Sequence, residues 1–276
     1  MKVLSPAYLA TLAVTAAVAA ALCVSGRRRP GRWVVLANVI LAGALLTASG
    51  LWLATTIGAS RFSAATSLPF ALCDLAALVA AAALLTRRPI LVELTYFWGL
   101  AGTLQALITP DLNVGFPRLE FFEYVVAHGA IVCAALFLVA GQGLSPRRWA
   151  IARVLAITII YTAVVGAIDA GTGGNYMYLR RAPGNWTLLR VLGPWPWYLA
   201  SATGVAAVLF GLLDMPFWRS RRMLRAPAQP TATEGDDTRP PAASSATADR
   251  TDARLVTTRQ PGRGRPGPDD ATVTAS

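Results

Sequence analysis

Seven apolar stretches, each about the length needed to cross a bilayer, leave this chain essentially one architecture. They run at about 4–25, 33–55, 68–86, 90–108, 119–140, 150–170 and 195–213, and a spanning helix needs about 20 residues at ~1.5 Å each. Every backbone N–H and C=O in hydrocarbon must be bonded within its own segment. The expected fold is therefore all-α: a polytopic bundle of seven transmembrane helices. Composition excludes the soluble alternative, because 55% of residues are apolar and 14% charged, against about 25% charged in soluble domains. From Ala226 the chain turns to Pro, Ala, Thr, Ser, Asp and Arg, too few large apolar groups to offset the entropy of folding. The expected organisation is a membrane domain over 1–225 and a disordered tail over 226–276.

The net charge of +11 invites a nucleic-acid reading, but its location argues against one. The tail holds six Arg and seven acids, so the basic excess lies in the membrane part. There it gathers at alternate connections: Arg27, Arg28, Arg29 and Arg32, then Arg87 and Arg88, then Arg147, Arg148 and Arg153, then Arg219, Arg221, Arg222 and Arg225. Lys2, Arg61, Arg118, Arg180, Arg181 and Arg190 fall on the other side. The positive-inside rule puts the N-terminus outside and the tail in the cytoplasm. Membrane lipids, not nucleic acid, are the expected partners. The Arg- and Ala-rich, Lys-poor composition fits a high-GC bacterium, hence a multi-pass protein of the bacterial cytoplasmic membrane.

A secretory signal is the competing reading of the first stretch, but its apolar run exceeds the ~7–15 residues of an h-region and an Arg cluster follows as a stop-transfer flank. Cys23, Cys73 and Cys133 sit singly in three segments, with no CxxC and no disulfide framework. One histidine and scattered cysteines do not supply the clustered ligands of a zinc site, so neither metal nor cofactor is expected. The stretch from about 171 to 194 is the one long connection, long enough to serve as a lid, within which Trp186–Leu192 reads as interfacial. Pro194 and Pro196 would open the seventh helix in its first turn.

Polar side chains at membrane depth are costly and usually mark function. Cys73 lies five residues into the third stretch, in its second turn, and His128 nine residues into the fifth. Gln105 and Thr109 lie near the end of the fourth, Asp169 ends the sixth, and Asn175 and Tyr176 open the long loop. This polar set converges on one half of the bilayer. A lone histidine is commonly a satisfied hydrogen-bonding group, and a lone cysteine a small packing residue. The functional alternative is a thiol favoured as thiolate by the start of a helix, with His128 as its base and Tyr124, Glu120 or Glu123 orienting the ring. Cys133 and Cys23 read as packing. The run Trp195-Pro196-Trp197-Tyr198 reads as an interfacial belt. Lys2 is the only lysine, so no intramembrane lysine exists to form a retinal Schiff base.

Several motifs together resemble the YwaF-type family of bacterial integral membrane proteins. They are Leu68-Pro69 with Leu72-Cys73, Gly99 to Ala106 with Thr109-Pro110-Asp111-Leu112, Phe116-Pro117, His128-Gly129, Asn175 to Leu179, and Gly193-Pro194-Trp195-Pro196-Trp197-Tyr198. The resemblance covers about residues 65–215. More distantly, the chain resembles a eukaryotic transmembrane acyltransferase that builds ether phospholipids through a Cys and His pair, itself related in fold to androgen-induced membrane hydrolases of fatty-acid esters. That resemblance implies Cys73 as nucleophile and His128 as base. The chain departs from the pattern at Pro6-Ala7-Tyr8-Leu9, where related proteins tend to carry a histidine.

The leading expectation is a lipid acyltransferase or ester hydrolase working through a Cys73 thioacyl intermediate in the outer half of the bilayer. Gln105, Asn175 and Tyr176 are candidate oxyanion donors, and Tyr124 and Asp169 candidate binding residues. The alternatives are a small-molecule transporter lined by Gln105, His128 and Asp169, or a non-catalytic structural or sensory membrane protein.

Overall fold

The computed structural model describes residues 5–58, 62–112, 114–184 and 187–223, with side chains as far as Trp218. Among these residues the secondary structure is helical throughout. Seven long helices follow one another: α1 (Pro6–Arg28), α2 (Arg32–Gly58), α3 (Leu72–Thr86), α4 (Pro89–Ile108), α5 (Leu119–Gly141), α6 (Ala150–Thr172) and α7 (Trp197–Met223). The tail expected beyond Ala226 lies outside the described residues, as do Arg61 and Trp186.

Six of the seven helices are long and apolar enough to span a membrane; α3 is not, at 15 residues. The third apolar stretch was expected to be helical from residue 68, yet its helix opens only at Leu72. The cause is local. Leu68 precedes a proline and is biased away from helical backbone, and the Asp74 carboxylate accepts the Ala71 N–H at 3.1 Å, which fixes Ala71 as the cap. Cys73 is thereby moved from the expected second turn into the first. The seventh helix is corrected in the same way. It starts at Trp197, so Pro194 and Pro196 precede it rather than forming its first turn; Trp195, standing before Pro196, is disfavoured in helical conformation.

α5 is the hub, with α1, α2, α3 and α4 packed around it, α6 against α4, and α7 against α6 and the middle of α4. Its Ile131, Ala134, Ala135, Phe137 and Leu138 are fully buried. Facing them, α3 offers Ala76, Ala77, Ala80, Ala81 and Ala83, small side chains that let the helix backbones approach. α4 widens into a π turn at Trp98–Thr103. There a Cβ on Gly99 would stand 3.0 Å from Ala135 Cβ, so any larger residue would press α4 and α5 apart by a few tenths of an ångström. The Trp98 indole donates to Thr158 Oγ1 at 2.8 Å, and that hydroxyl donates to Val154 O at 2.7 Å, which ties α4 to α6 without leaving a polar group unpaired. Outward, α1, α2, α6 and α7 expose Val14, Ile40, Ile160 and Val208. Apolar surface of this extent is stable only against lipid, and the chain is a multi-pass membrane protein.

The connections differ at the two ends. Those at 29–31, 87–88 and 142–149 are short and arginine-rich, whereas those at 59–71, 109–118 and 173–196 are longer. At the short-loop end Glu93, 1% exposed, is the organising charge. Its carboxylate accepts from the Arg147 main-chain N–H at 3.0 Å and Nε at 2.8 Å, and from Arg153 Nη2 at 2.8 Å and Nε at 3.0 Å. The hydrogen bond to Glu93 holds the Arg147 guanidinium more basic than usual. Gln142 and Asn38 exchange amide hydrogen bonds alongside, at 2.8 and 3.5 Å, joining α2 to the end of α5. Removing the carboxylate strands two guanidiniums, both partly solvated, which limits the loss. Glu93→Ala should lower unfolding free energy in micelles by about 2–3 kcal/mol, read from the shift of a denaturant midpoint followed by tryptophan fluorescence.

Candidate active site

The last carbonyls of any helix lack an intrahelical donor, and in a membrane no water replaces it. At the end of α4 two tyrosines do so. The Tyr8 hydroxyl, from the first turn of α1, donates to Leu107 O at 2.5 Å, and the Tyr124 hydroxyl, from α5, donates to Ala106 O at 2.7 Å. Tyr124 then has its ring fixed, and the His128 imidazole stacks on it with centroids 3.9 Å apart and planes at 24°. His128 Nδ1 lies 2.8 Å from the Tyr124 carbonyl oxygen. A carbonyl only accepts, so Nδ1 carries the proton of the neutral ring and Nε2 holds the lone pair.

His128 and Cys73 line one cavity of about 690 Å³, within the range of small-molecule sites. α2 supplies one wall through Leu46, Gly50, Trp52 and Leu53; α3 supplies Cys73, Asp74, Ala77 and Leu78; α5 supplies Glu120, Glu123, Tyr124, Ala127, His128 and Ile131. The Thr103 side chain, in the π turn of α4, lies within interaction reach of the thiol. Asp74 turns one carboxylate oxygen back to the Ala71 N–H, and Glu123 holds a buried oxygen with no hydrogen-bond partner. Beneath the cavity, Ala76, Ala80, Ile131 and Ala134 close the interior.

The other expected site residues are elsewhere. Tyr176 and Asp169 form a separate buried tie. The Tyr176 N–H donates to Asp169 Oδ1 at 2.9 Å, and its hydroxyl donates to Ala64 O and accepts the Leu68 N–H, each at 2.9 Å. A Cβ on Gly174 would meet Asp169 Oδ1 at 2.8 Å and Ala65 O at 3.0 Å, so the tie needs a glycine there. Asn175 is consumed within its own loop, accepting the Arg180 and Arg181 N–H groups at 2.9 and 3.0 Å and donating to Arg181 O at 2.9 Å. Gln105 is half-buried and outside the cavity lining; its main-chain carbonyl accepts from Thr109 Oγ1 at 3.1 Å.

Sequence reasoning missed Tyr8, Thr103 and the α2 wall. Tyr178 donates to Asp111 Oδ2 at 2.5 Å, and burial together with that carboxylate holds its phenol less acidic than usual. Tyr198 in turn donates to the Tyr178 carbonyl. A tyrosine in the first turn of a membrane helix was the available signal for Tyr8. Cys133, packed at 4% exposure with its thiol toward Thr15 O, stands away from the lining. Among the described residues no cluster of three metal-ligating side chains occurs. Tyr8→Phe and Tyr124→Phe each leave a helix-end carbonyl without a donor, and each should cost about 1–2 kcal/mol in micelle unfolding experiments, with Tyr198→Leu serving as a comparison at the neighbouring tie.

A family model described as "TMEM164 family" matches residues 3–214, which includes every residue lining the cavity. An uncharacterized protein of Treponema pallidum (strain Nichols) is 27% identical over 154 residues, covering 54% of this chain and 62% of the relative. The chain thus spans less than two thirds of that relative's length. No solved structure matches. With the match running through every long helix from α1 into α7, the chain belongs to the TMEM164 family.

Proposed function

We propose that the protein is a membrane-embedded lipid acyltransferase or ester hydrolase that works through Cys73. The observation that carries this reading is the sharing of one lipid-level cavity by a thiol and an imidazole whose lone pair is on Nε2. In the proposed reaction, Nε2 of His128 takes the Cys73 proton as sulfur attacks the carbonyl carbon of a glycerolipid ester. The tetrahedral intermediate collapses to a thioacyl-enzyme, and the departing lysolipid oxygen receives the proton from His128. The hydroxyl of a second lysolipid, or water, then gives its proton to His128, attacks the thioester and releases the Cys73 thiol. Tyr124 positions the ring by stacking, and Thr103 is the side chain best sited to orient the thiol.

The buried apolar residues Ala76, Ala80, Ile131 and Ala134, next along α3 and α5 toward the short-loop end, support this reading over a transporter, which needs a polar route reaching the other face. The finer resemblances, to YwaF-type proteins and to the Cys/His ether-phospholipid acyltransferase, belong to the same proposal. So do the count of seven spans, the outward placement of the long-loop end, a bacterial cytoplasmic membrane location, and a tail separate from the membrane domain. Asn175, Tyr176 and Asp169 take supporting roles in loop architecture, and Gln105, outside the cavity lining, has no part in the proposed reaction.

The test is covalent labelling in membranes with a clickable acyl phospholipid. Hydroxylamine-sensitive label is expected on wild type and on Cys133→Ala, with a loss of at least about 100-fold for Cys73→Ala and His128→Ala, the range of a lost nucleophile or general base. Label that persists in Cys73→Ala, or is absent from folded wild type, overturns the reading.

A further inference from the structure

A second pocket, of about 300 Å³, lies at the long-loop end, lined by Gly173, Gly174, Asn175, Arg180 and Arg181. Its lining contains two arginines and no acidic residue. The Asp169 carboxylate lies behind Gly174, one oxygen accepting the Tyr176 N–H and the other buried without a hydrogen-bond partner, and the two arginines outnumber it. The pocket is built rather than incidental. One Asn175 oxygen accepts the main-chain N–H of both Arg180 and Arg181, and its amide donates to Arg181 O, so the loop that carries the two side chains is fixed by three hydrogen bonds. Arg180 Nη1 reaches Asp169 O at 3.4 Å, a long contact that leaves the rest of its planar donor fork for a ligand.

The depth of the pocket follows from what is attached to it. The Trp195 indole donates to Leu179 O at 3.1 Å, the residue immediately before the arginine pair. Trp195 and Trp197 are 60% and 70% exposed. Exposed tryptophans in a membrane protein sit at the headgroup level, and Trp195 therefore holds the two guanidiniums at that level. The other arginine-rich connections are at the short-loop end.

We propose that this pocket binds the phosphate of a glycerophospholipid headgroup, the Arg180 and Arg181 guanidiniums forming charge-assisted hydrogen bonds to its oxygens. The site is independent of any reaction at Cys73. On the reading given above it would anchor a lipid on the same end of the bundle as the thiol, and phosphate binding without acylation, or acylation without phosphate binding, separates the two proposals.

The experiment is native mass spectrometry of the full chain released from micelles, titrated with phosphatidylglycerol, with diacylglycerol of the same acyl chains, and with inorganic phosphate. The variants are Arg181→Gln, Arg180→Gln/Arg181→Gln, and Arg190→Gln, whose side chain bonds Gly184 O outside the pocket. Arg181→Gln keeps every main-chain bond to Asn175, so the loop survives, and unchanged thermal unfolding verifies this. Phosphatidylglycerol should bind about tenfold or more weakly to Arg181→Gln, weaker still to the double variant, and unchanged to Arg190→Gln, in line with loss of a hydrogen bond to a charged group. Inorganic phosphate binding with the same arginine dependence, and no advantage for the lipid, upholds the phosphate site and assigns it to a soluble anion. Equal binding of phosphatidylglycerol to wild type and the folded double variant, or diacylglycerol binding as tight as phosphatidylglycerol, overturns the proposal.

Discussion

A helix that ends inside a membrane protein must find donors for its last carbonyls from other side chains, because lipid supplies none. At the end of α4 those donors are Tyr8 and Tyr124, on two different helices. The consequence reaches well beyond two hydrogen bonds. Tyr8 pins the start of α1 to the bundle, and α1 has few other buried residues, Ala19 and Gly26 among them. Tyr124 has its ring plane set by the same requirement, and the His128 ring lies on that plane. The candidate site thus inherits its geometry from a need of the backbone.

The two ends of the bundle solve the polar problem differently. At the short-loop end the solution is ionic, with Glu93 gathering Arg147 and Arg153. At the long-loop end it relies on phenols: Tyr8, Tyr124, Tyr161, Tyr176, Tyr178 and Tyr198 all donate to main-chain carbonyls or, for Tyr178, to Asp111. A phenol combines an apolar body with one directional donor, which suits a region that is neither dry nor fully wet. Such ties hold loops in place with donors that carry no charge of their own.

The spans were legible because a bilayer imposes one length and one polarity, and a run such as 150–170 satisfies both with little else to interpret. The start of α3 was less so. Hydropathy counts Leu68 to Ala71 as membrane residues, while Pro69 and the Asp74 carboxylate, which decide the cap, are read only through backbone geometry. Cys73 and His128 could be placed at similar depth from their positions along two helices, but depth says nothing of azimuth. Their common cavity depends on the packing of α2, α3 and α5. The same limit explains Asn175 and Tyr176, whose polarity near a loop suggested a binding role and whose hydrogen bonds are spent on neighbouring main chain. Tyr8 was quoted only for the histidine it replaces, and its partner lies 99 residues away.

The brevity of α3 carries a geometric corollary. Its 15 residues rise about 22 Å, some 8 Å less than a hydrocarbon core of ~30 Å. With its other end set by the arginine turn at 87–88, the top of α3 falls short of the far headgroups by about that difference. Cys73, one residue inside that top, then falls among the acyl chains, about 8–10 Å below the far edge of the hydrocarbon core. On the function proposed above, the bilayer would have to thin around this short helix, or the lipid sink by about that distance, before an ester carbonyl came to the height of the sulfur.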